Sequence, residues 1–482
     1  MYKMLQVKNK TIAIAIVIIL LLLSIIGIIT KLNKDKDYID KLINQYNPQG
    51  ATAVIIENGV ITNVRNYGYA NIEKKVVVTD ETQFKIASIS KTITAYAIMK
   101  LVDEGKLDLD VPINTYLTKW HLPETEFDES KLTLRTLMSH TSGVTGSDEC
   151  GYKKPLPTIE QALKNRDVKL KREPGETFEY SEFVGFGICQ LIIEEVTNSS
   201  FEEYMERNIF KPLDMKNTSY KNENSNGKFA TPYAGISKPI EITPIVMNGG
   251  GGVSTTAVDL SKFVVELMNY YNNGNKEMFK PQKNTQSIGG VYALGIIPRK
   301  LKNGKTVYEH NGTFTGWNAQ MAFEPVSRNG MVILTNSDKS YYLTYGLMEK
   351  WGERVIGEKV IDTQMKQIVK VVFSIIVTLS MILLSLVAVL VIKIKKGTII
   401  LSEKRKTRYI KSGIIVFSLA ILYYGVMYTD LPCKLLFNVD DYYLFTFFPL
   451  NFKWVNIILI LTGAFIIFRI RYSKNKYLFF EN

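Results

Sequence analysis

Residues 51–70 read Ala-Thr-Ala-Val-Ile-Ile-Glu-Asn-Gly-Val-Ile-Thr-Asn-Val-Arg-Asn-Tyr-Gly-Tyr-Ala. They form two β-rich runs that meet at Asn58-Gly59, and Asn-Gly between such runs favours a two-residue turn because both residues accept positive φ. The stretch therefore predicts a β-hairpin. Three more β-rich segments lie far downstream, at 306–310, 317–324 and 330–336. Arg328-Asn329-Gly330 predicts a turn before the last of them.

A long section between these β-rich ends, about 86–285, is dominated by helical patterns. Helical spacing of apolar residues is visible in Ala95, Ile98, Met99, Leu101 and Val102. Further helices are predicted over 182–197 and 341–357. We therefore predict an α+β fold, in which both ends of domain 31–368 form one antiparallel β-sheet flanked by helices, with a large helical insert. A cleft between the sheet and the insert is a natural ligand site.

Four apolar blocks predict about four transmembrane helices, at 11–30, about 371–392, about 413–428 and about 454–468. The first two blocks contain no charged residue and are long enough to span a bilayer core of about 30 Å. The first block is predicted to be an uncleaved anchor, because its apolar core is longer than that of a signal peptide and no small-x-small cleavage site follows. The alternative for each block is a buried core helix.

Basic residues indicate how these blocks are oriented. Segments 1–10, 393–411 and 469–482 carry net charges of +3, +7 and +3, which together equal the net charge of +13 of the whole chain. With four spans these segments lie on one side, which the positive-inside rule identifies as the cytoplasm. The sequence thus predicts a multi-pass protein of the cell membrane with cytoplasmic N- and C-termini. Its parts are a tail (1–10), an anchor (11–30), an extracytoplasmic domain (31–368) and a membrane domain (369–482).

The remaining composition argues against several other classes. Domain 31–368 is close to neutral, so no nucleic-acid partner is expected. The chain has 3 cysteines, Cys150, Cys189 and Cys433, which provide no disulfide framework, and Cys189 is predicted to be a core residue. No cluster of His, Cys, Asp and Glu has metal-ligand spacing, so we expect no metal and no cofactor.

Ser88-Ile-Ser-Lys91 opens an amphipathic helical stretch. The string Ser-x-x-Lys also starts at Ser225 and Ser473, but neither of those is followed by an apolar helical pattern. A serine at a helix start offers its own N–H as an oxyanion donor, and Lys91 returns to the same face of the first turn. A desolvated lysine there can act as a base for the serine. The alternative is an N-cap serine beside a surface lysine.

Tyr180 follows in Pro174-Gly-Glu-Thr-Phe-Glu-Tyr180-Ser181, directly before the second predicted helix. If a nearby ammonium lowers its pKa, the phenol can accept the serine proton or pass a proton to a leaving group. The alternative is a core or loop tyrosine, since the chain has 27 tyrosines. Ser, Lys and Tyr in this order are parts of a serine acyl-transfer site.

His310-Asn311-Gly312 is the only His-x-Gly string in the chain and is predicted to lie on an edge strand beside the cleft. The imidazole can line the site, Gly312 allows close backbone approach, and the N–H of Thr313 can be the second oxyanion donor. The alternative is a strand-end histidine before an Asn-Gly turn. His140 is predicted to be a structural hydrogen-bonding residue.

Taken together, these strings resemble the penicillin-recognising serine hydrolases of the class C β-lactamase and D-Ala-D-Ala carboxypeptidase type. The matching strings are Phe84-Lys-Ile-Ala-Ser88-Ile-Ser-Lys91-Thr, Leu134-Arg-Thr-Leu-Met-Ser-His140-Thr-Ser-Gly143, Pro174-Gly-Glu-Thr-Phe-Glu-Tyr180-Ser181, Gly250-Gly-Gly-Val-Ser254-Thr255 with Asp259, and His310-Asn-Gly312. The resemblance covers about 40–355. It implies a serine β-lactamase-like fold and an acyl-enzyme on Ser88. Lys91 and Tyr180 would be the proton-transfer groups, and His310 stands where many members have Lys or His.

One position departs from the resemblance. Members usually continue Tyr-x-Asn, whereas residue 182 is Glu, which accepts hydrogen bonds but donates none when ionised. Glu182 is therefore expected to alter the substrate subsite and to draw Lys91 toward its charged form. This argues against β-lactam hydrolysis in particular and leaves an altered or inactive site open.

The leading hypothesis is a membrane-anchored serine hydrolase that cleaves an amide or ester bond in a peptide-like or peptidoglycan-like substrate containing D-residues. The membrane layout is similar to that of the peptidases that remove an acyl-D-asparagine cap from nonribosomal peptide prodrugs. A prodrug-activating or self-resistance D-peptidase is thus the second hypothesis. The third is a non-catalytic penicillin-binding sensor, which Glu182 favours and the presence of Ser88, Lys91, Tyr180 and His310 opposes.

Overall fold

The structure is a computed structural model. It describes residues 37–147, 152, 154–220, 228–234, 237–242, 244–287, 290–361, 363–401, 410, 412–414, 416–418, 420–421, 449–470 and 472–474. The chain divides between Gln45 and Tyr46 into two units. Apart from helix α1 (Tyr38–Tyr46), which lies almost wholly in the first unit, the features below belong to the second. The predicted span 11–30, most of the predicted span 413–428, Cys150 and Cys433 lie outside the described residues.

A seven-stranded antiparallel sheet is the centre of the fold. Its strands are β1 Gly50–Glu57, β2 Val60–Asn71, β3 Val76–Val77, β10 Ile297–Lys300, β11 Thr306–Phe314, β12 Trp317–Glu324 and β13 Asn329–Thr335, numbered in chain order. Across the sheet they follow the order β10-β11-β12-β13-β1-β2-β3. Pairing of β1 with β13, from Ala51 opposite Thr335 to Ile56 opposite Gly330, joins the two ends of the domain. This confirms the predicted sheet.

The predicted hairpin is also confirmed. β1 and β2 are joined by Asn58 and Gly59, with φ of 53° and 80°, the left-handed conformation that this two-residue turn requires. Every residue of β12 and all of β1 except Glu57 are buried. Because successive strand residues point to opposite faces, both faces of the central strands are covered by other elements.

Eleven α-helices, six short 3-10 or π helices and eight further short strands complete the described part of the chain. The helices are α1 Tyr38–Tyr46, α2 Ile89–Asp103, α3 Leu134–Met138, α4 Ile159–Asn165, α5 Val184–Thr197, α6 Phe201–Met205, α7 Asn248–Gly251, α8 Ala257–Asn272, α9 Tyr341–Trp351, α10 Thr363–Lys395 and α11 Pro449–Ile470. The strands are β4 Phe84–Lys85, β5 Val144–Thr145, β6 Lys169–Leu170, β7 Tyr233–Ala234, β8 Lys238–Pro239, β9 Ser254–Thr255, β14 Ile399–Leu401 and β15 Tyr472–Lys474. α8 contacts β1 and β13, and α9 contacts β12.

Helix α2 lies inside the domain. The sequence predicts an amphipathic helix here, but 12 of its 15 residues are buried, including Ser90, Lys91, Thr92 and Thr94. The reason is that α2 contacts the sheet on one side and α5 and α7 of the helical insert on the other. Its polar residues therefore bond to neighbouring elements and not to water: Thr92 donates to Gly295 O (2.7 Å) and Thr94 to Gly249 O (3.0 Å).

Of the four predicted transmembrane helices, the described residues contain one candidate, Phe373–Lys395 within α10. It is 23 residues long and mostly exposed, so it meets the requirement for a span by length and composition alone. The predicted span 454–468 lies in α11. The apolar part of this helix covers only Ile460–Ile470, which is too short to cross a membrane. The number of four is thus not supported by the described residues. Cys189, predicted to be a core residue, is buried in α5.

Candidate active site

Ser88 is half-buried and lies at the N-terminus of α2. The residue before it, Ala87, has a φ of 44°, a left-handed conformation that costs an alanine about 1–2 kcal/mol. Strand β4 pairs with β9 just before this turn, and Ile86 N–H donates to Val253 O (3.2 Å). Backbone strain that is held in place by neighbouring hydrogen bonds is typical of functional sites.

The N–H of Ser88 is available to a ligand. The next three N–H groups along the chain each donate to a carbonyl three residues back. No acceptor is found for Ser88 N–H within the described residues. An N–H at the positive end of a helix suits a developing oxyanion, as the sequence analysis expects.

Lys91 is fully buried and directed at Ser88. Its Nζ donates to Ser88 Oγ (3.2 Å), to the backbone carbonyl of Glu182 (2.5 Å) and to that of Gly250 (2.8 Å). An ammonium has three donors, so these three acceptors match its hydrogen-bonding capacity. They hold Nζ in one position beside the serine hydroxyl.

Tyr180 completes a group of three side chains. Its hydroxyl is hydrogen-bonded to the side chain of Ser88, and Lys91 Nζ lies 5.1 Å from its ring centroid. Tyr180 is 38% exposed as a residue, but desolvation of its hydroxyl raises its pKa above the usual value, the interaction with Ser88 opposes this, and the charge of Glu182 raises the pKa further. A pKa lowered by the ammonium, which is the condition for Tyr180 to accept the serine proton at rest, is therefore not found, and the resting group is a neutral phenol.

His140 holds the Tyr180 segment in place. Its ring is buried and lies 4.2 Å from the Tyr180 ring, centroid to centroid, at an interplanar angle of 33°. Its Nδ1 accepts a hydrogen bond from Ser181 N–H (3.1 Å). Desolvation, and secondarily Lys91 and His310, lower the pKa of His140 well below its usual value. The predicted structural role of His140 is confirmed by these contacts.

His310 is brought to the same site by β11 but is buried and neutral. Its Nδ1 is 2.6 Å from Asn311 O, and its Nε2 is 2.8 Å from the hydroxyl of Tyr292. Because a carbonyl can only accept, Nδ1 carries the proton and Nε2 accepts from Tyr292. Desolvation lowers the pKa of His310 to about 3, the bond to Asn311 opposes this, and Lys91 lowers the pKa further.

These two buried histidines predict acid-sensitive stability. Their folded-state pKa values lie below the unfolded value of about 6.5, so the unfolded chain binds more protons once the pH falls below that value. Stability is therefore full above about pH 6.5 and decreases toward pH 3, by up to about 1.4 kcal/mol per pH unit for each histidine. We expect the melting temperature of His310→Gln to decrease less between pH 7 and pH 4 than that of the wild type. The control is His121→Gln, at an exposed position; equal slopes for His310→Gln and the wild type would contradict the prediction.

Gly312 allows β11 to approach the serine turn. A Cβ on Gly312 would lie 1.9 Å from Ile86 O, so no other residue fits there without a backbone shift. The prediction that His310-Asn311-Gly312 lies on an edge strand holds for this part of β11 only. β10 pairs with β11 over Thr306–Glu309, whereas β11 from His310 onward is not paired with β10. Thr313 lies on this stretch, where its Oγ1 donates to Asn318 Oδ1 (3.1 Å). Its role as an oxyanion donor stays a prediction.

Glu182 contacts the site through its backbone. The carbonyl accepts the hydrogen bond from Lys91 Nζ described above, while the side chain is exposed and its charge acts on Tyr180. From the sequence, the carboxylate itself is expected to draw Lys91 toward its charged form, whereas the hydrogen bond from Lys91 is accepted by the carbonyl.

Two further side chains around the site were not singled out from the sequence, although Lys85 lies within the string that contains Ser88. Tyr292, which donates to His310, belongs to no motif and could only be found from tertiary contacts. Lys85 is buried and donates to Gly252 O (2.9 Å), and desolvation lowers its pKa to about 7. Lys85 and Lys91 therefore both bind carbonyls of the glycine-rich turn at 249–252, which gives that motif a structural reason.

Within the described part of the chain, no group of three or more His, Cys, Asp or Glu side chains could hold a metal ion. The chemistry considered below needs none, because the nucleophile, the proton-transfer groups and the oxyanion donors are all protein groups.

Comparison with known proteins agrees with this geometry. A family model described as Beta-lactamase matches residues 36–344. Protein flp of Staphylococcus aureus (strain MRSA252) is 26% identical over 445 residues, which cover 86% of this chain and 84% of that protein. The putative penicillin-binding protein PbpX of Bacillus subtilis (strain 168) is 27% identical over 300 residues, or 59% of this chain and 70% of that protein.

Solved structures show the same fold. The octameric penicillin-binding protein homologue from Pyrococcus abyssi matches with a TM-score of 0.58 and 24% identity, over 70% of this chain and 80% of that one. The penicillin-binding protein from Bacillus halodurans matches with a TM-score of 0.56 and 24% identity, over 65% of this chain and 98% of that one.

Proposed function

The chain belongs to the beta-lactamase family, which is a family of serine hydrolases, and on that premise we propose that it cleaves an amide or ester bond through an acyl-enzyme on Ser88. The observation that carries this proposal is the convergence on one oxygen: Lys91 Nζ lies 3.2 Å from Ser88 Oγ, and the Tyr180 hydroxyl is bonded to the same side chain. A nucleophile in contact with two proton-transfer groups is the arrangement that acyl transfer requires.

The proposed reaction begins when Ser88 Oγ attacks the substrate carbonyl and its proton passes to the Lys91–Tyr180 pair. The reactive form of this coupled pair has lost one proton before the attack. The N–H groups of Ser88 and Thr313 would stabilise the oxyanion. When the carbonyl re-forms, the bond to the leaving group breaks and the leaving group takes the proton from the pair. Water then repeats the sequence on the ester and releases Ser88.

The resting site is held in the protonated form. The three acceptors around Lys91 favour its ammonium, and desolvation raises the pKa of Tyr180. Acylation should therefore become faster as the pH rises and the pair loses a proton. His310, with a pKa of about 3, is neutral throughout and takes no part in this titration. It would line the site and position β11 through Tyr292.

The proposed substrate is a peptide-like molecule that contains D-residues, as in peptidoglycan. The similarity to penicillin-binding proteins supports this choice. The direct test is labelling of the full-length protein with a fluorophosphonate probe, which forms a covalent bond with an activated serine. Labelling of the wild type at the Ser88 peptide supports a working hydrolase. An unlabelled protein would favour the sensor hypothesis, and labelled protein that turns over only capped D-peptides would favour the prodrug peptidase.

Membrane anchoring is part of the proposal, supported by Phe373–Lys395. At about 1.5 Å per residue this helix is slightly longer than a bilayer core of about 30 Å, and it ends in the basic run Lys393, Lys395 and Lys396, which the positive-inside rule places in the cytoplasm. The multi-pass layout with the hydrolase domain outside is the finer form of this proposal.

The orientation predicts different access to the two ends of this helix. In a chain whose Cys150 and Cys433 are replaced by serine, we expect Lys359→Cys to react with a membrane-impermeant maleimide in intact cells. Lys396→Cys should react only after permeabilisation. Both positions are exposed, so accessibility on the protein itself is matched. Labelling of both cysteines in intact cells would contradict a membrane crossing between them.

A further inference from the structure

The glycine-rich turn at 249–252 lies between two helices of the site. Helix α7, which contains its first three glycines, contacts α2 on one side and α5 on the other. The space is narrow: a Cβ on Gly249 would lie 2.6 Å from Phe186 O, and a Cβ on Gly251 would lie 2.9 Å from Phe183 Cε1. The backbone of the turn therefore comes close to both helices because it carries no side chains.

The middle of this turn supplies an acceptor to Lys91. The carbonyl of Gly250 accepts a hydrogen bond from Lys91 Nζ (2.8 Å), and the same Nζ donates to Ser88 Oγ (3.2 Å). A Cβ on Gly250 would lie 3.1 Å from Glu182 O, the other carbonyl that binds this ammonium. A shift of the turn would therefore move an acceptor of the ammonium that faces the nucleophile.

Two buried side chains hold the turn, one at each end. Lys85 Nζ, on β4, donates to Gly252 O (2.9 Å), and Thr94 Oγ1, on α2, donates to Gly249 O (3.0 Å). Both side chains and the whole turn are buried, so water cannot replace a donor that is lost. The carbonyl of Gly250 lies between these two fixed points.

Lys85 can hold its end of the turn in either protonation state. Desolvation lowers its pKa to about 7, but the neutral amine keeps N–H groups that can donate to Gly252 O as the ammonium does. The bond is therefore retained on both sides of neutral pH. A rate that changes with pH then reports on the coupled pair of Lys91 and Tyr180.

We propose that Lys85 and Thr94 are positioning residues for the reaction: they hold the two ends of the glycine-rich turn, so that the carbonyl of Gly250 fixes the Lys91 ammonium beside Ser88. This inference rests on the proposed hydrolase function and adds two residues that act through Lys91. A purely structural role for the two donors would stabilise the fold but leave the ionisation of the Lys91–Tyr180 pair unchanged. That ionisation is therefore the property to measure.

The test measures the rate at which a fluorophosphonate labels Ser88 as a function of pH, with the full-length protein in detergent. In the wild type this rate should increase with pH as the pair loses its proton. Thr94→Val keeps the shape of the side chain, adds no charge and removes the donor to Gly249 O. Because a displaced Gly250 carbonyl binds the ammonium less well, we expect the midpoint to fall by about one pH unit. The plateau rate should fall at least about ten-fold, since Lys91 Nζ is held less closely beside Ser88 Oγ.

Lys85→Met tests the other end of the turn and should also lower the plateau rate, whereas Lys85→Arg keeps a donor and should restore most of it. If Lys85→Met does not fold, Thr94→Val decides alone. The matched control is Thr92→Val, which also removes a buried hydrogen bond from α2 to a carbonyl, that of Gly295, outside the turn. Its melting temperature should fall like that of Thr94→Val, and its midpoint should stay that of the wild type.

A midpoint for Thr94→Val equal to that of the wild type overturns the inference, while labelling of the wild type at Ser88 leaves the hydrolase function standing. An equal shift in Thr92→Val overturns it as well, because the effect would then not depend on the turn. A wild type that is not labelled at Ser88 overturns the proposed function and this inference with it.

Discussion

Replacing Ser88 with alanine is expected to abolish turnover, with a loss of at least about 10⁴-fold in kcat. The physical reason is that Lys91 and Tyr180 converge on the side chain of Ser88. The change removes one small, half-buried oxygen at a helix start. At its position, Ser88 makes no side-chain cap bond to α2, so we expect the melting temperature to stay close to that of the wild type.

The measurement is cleavage of an N-acetyl-D-alanine ester, together with intact-mass analysis after incubation with a fluorophosphonate. Ser473→Ala is a matched control, because Ser473 begins the same Ser-x-x-Lys string but lies in β15. Turnover that survives Ser88→Ala, or an adduct on that variant, would sink the assignment of Ser88 as the nucleophile.

Incubation with a penicillin examines the pocket separately from the nucleophile. A stoichiometric adduct on the wild type alone would indicate a pocket shaped for D-Ala-D-Ala-like acyl groups. A protein that reacts with the fluorophosphonate but not with penicillin would favour a specialised D-peptidase.

Gly312→Ala is expected to reduce kcat by about 10²–10³-fold, the effect of losing one oxyanion donor. The added Cβ would lie 1.9 Å from Ile86 O and 2.9 Å from Ile86 C. Both are backbone atoms, so β11 and the turn before Ser88 must separate. That movement displaces Thr313 N–H from the serine. Overpacking of this kind also lowers the free energy of unfolding by about 1–3 kcal/mol.

The experiment compares kcat and the melting temperature of Gly312→Ala with those of Gly185→Ala. A Cβ at Gly185 meets its nearest atom, Leu137 O, at 3.6 Å, which is an ordinary van der Waals contact, so this control should behave like the wild type. If Gly312→Ala retains both the kcat and the melting temperature of the wild type, close approach of β11 to the serine turn is not required.

Much of the fold can be predicted from the sequence because its signals are local. Asn58-Gly59 determines the hairpin through the φ values that these residues tolerate. The strand predicted at 317–324 coincides with β12 Trp317–Glu324. β11 extends to Phe314, beyond the predicted end at 310, because its last residues pair with β12, and a pairing partner is not a local property.

The membrane prediction shows the opposite case. Hydropathy and length select apolar blocks from the sequence without regard to the helices that form. Within the described residues, only Phe373–Lys395 is a helix long and apolar enough to cross a membrane. A run such as 454–468 satisfies the composition of a span while being short for the bilayer thickness. Within the described residues, composition alone therefore selects one more block than the structure supports as a span.

At the candidate site, the sequence by itself determined the chemical groups: Ser88 and Lys91 three residues apart on one helical turn, a tyrosine after Pro-Gly, and a glycine that follows His310. Their order along the chain was enough to identify an acyl-transfer arrangement and the family that uses it. These properties belong to the residues themselves and to short-range spacing.

Only the tertiary structure decided the state of those groups. Lys91 is held by the carbonyls of Glu182 and Gly250, 91 and 159 residues away in the chain, and carbonyls are the same in every residue, so no sequence pattern marks them. His310 is neutral because burial removes water from its ring and lowers its pKa. Tyr180 is 38% exposed as a residue, but desolvation of its hydroxyl raises its pKa, so it is a phenol. Burial results from packing of the whole sheet against the insert, and a pKa follows the solvent that packing excludes.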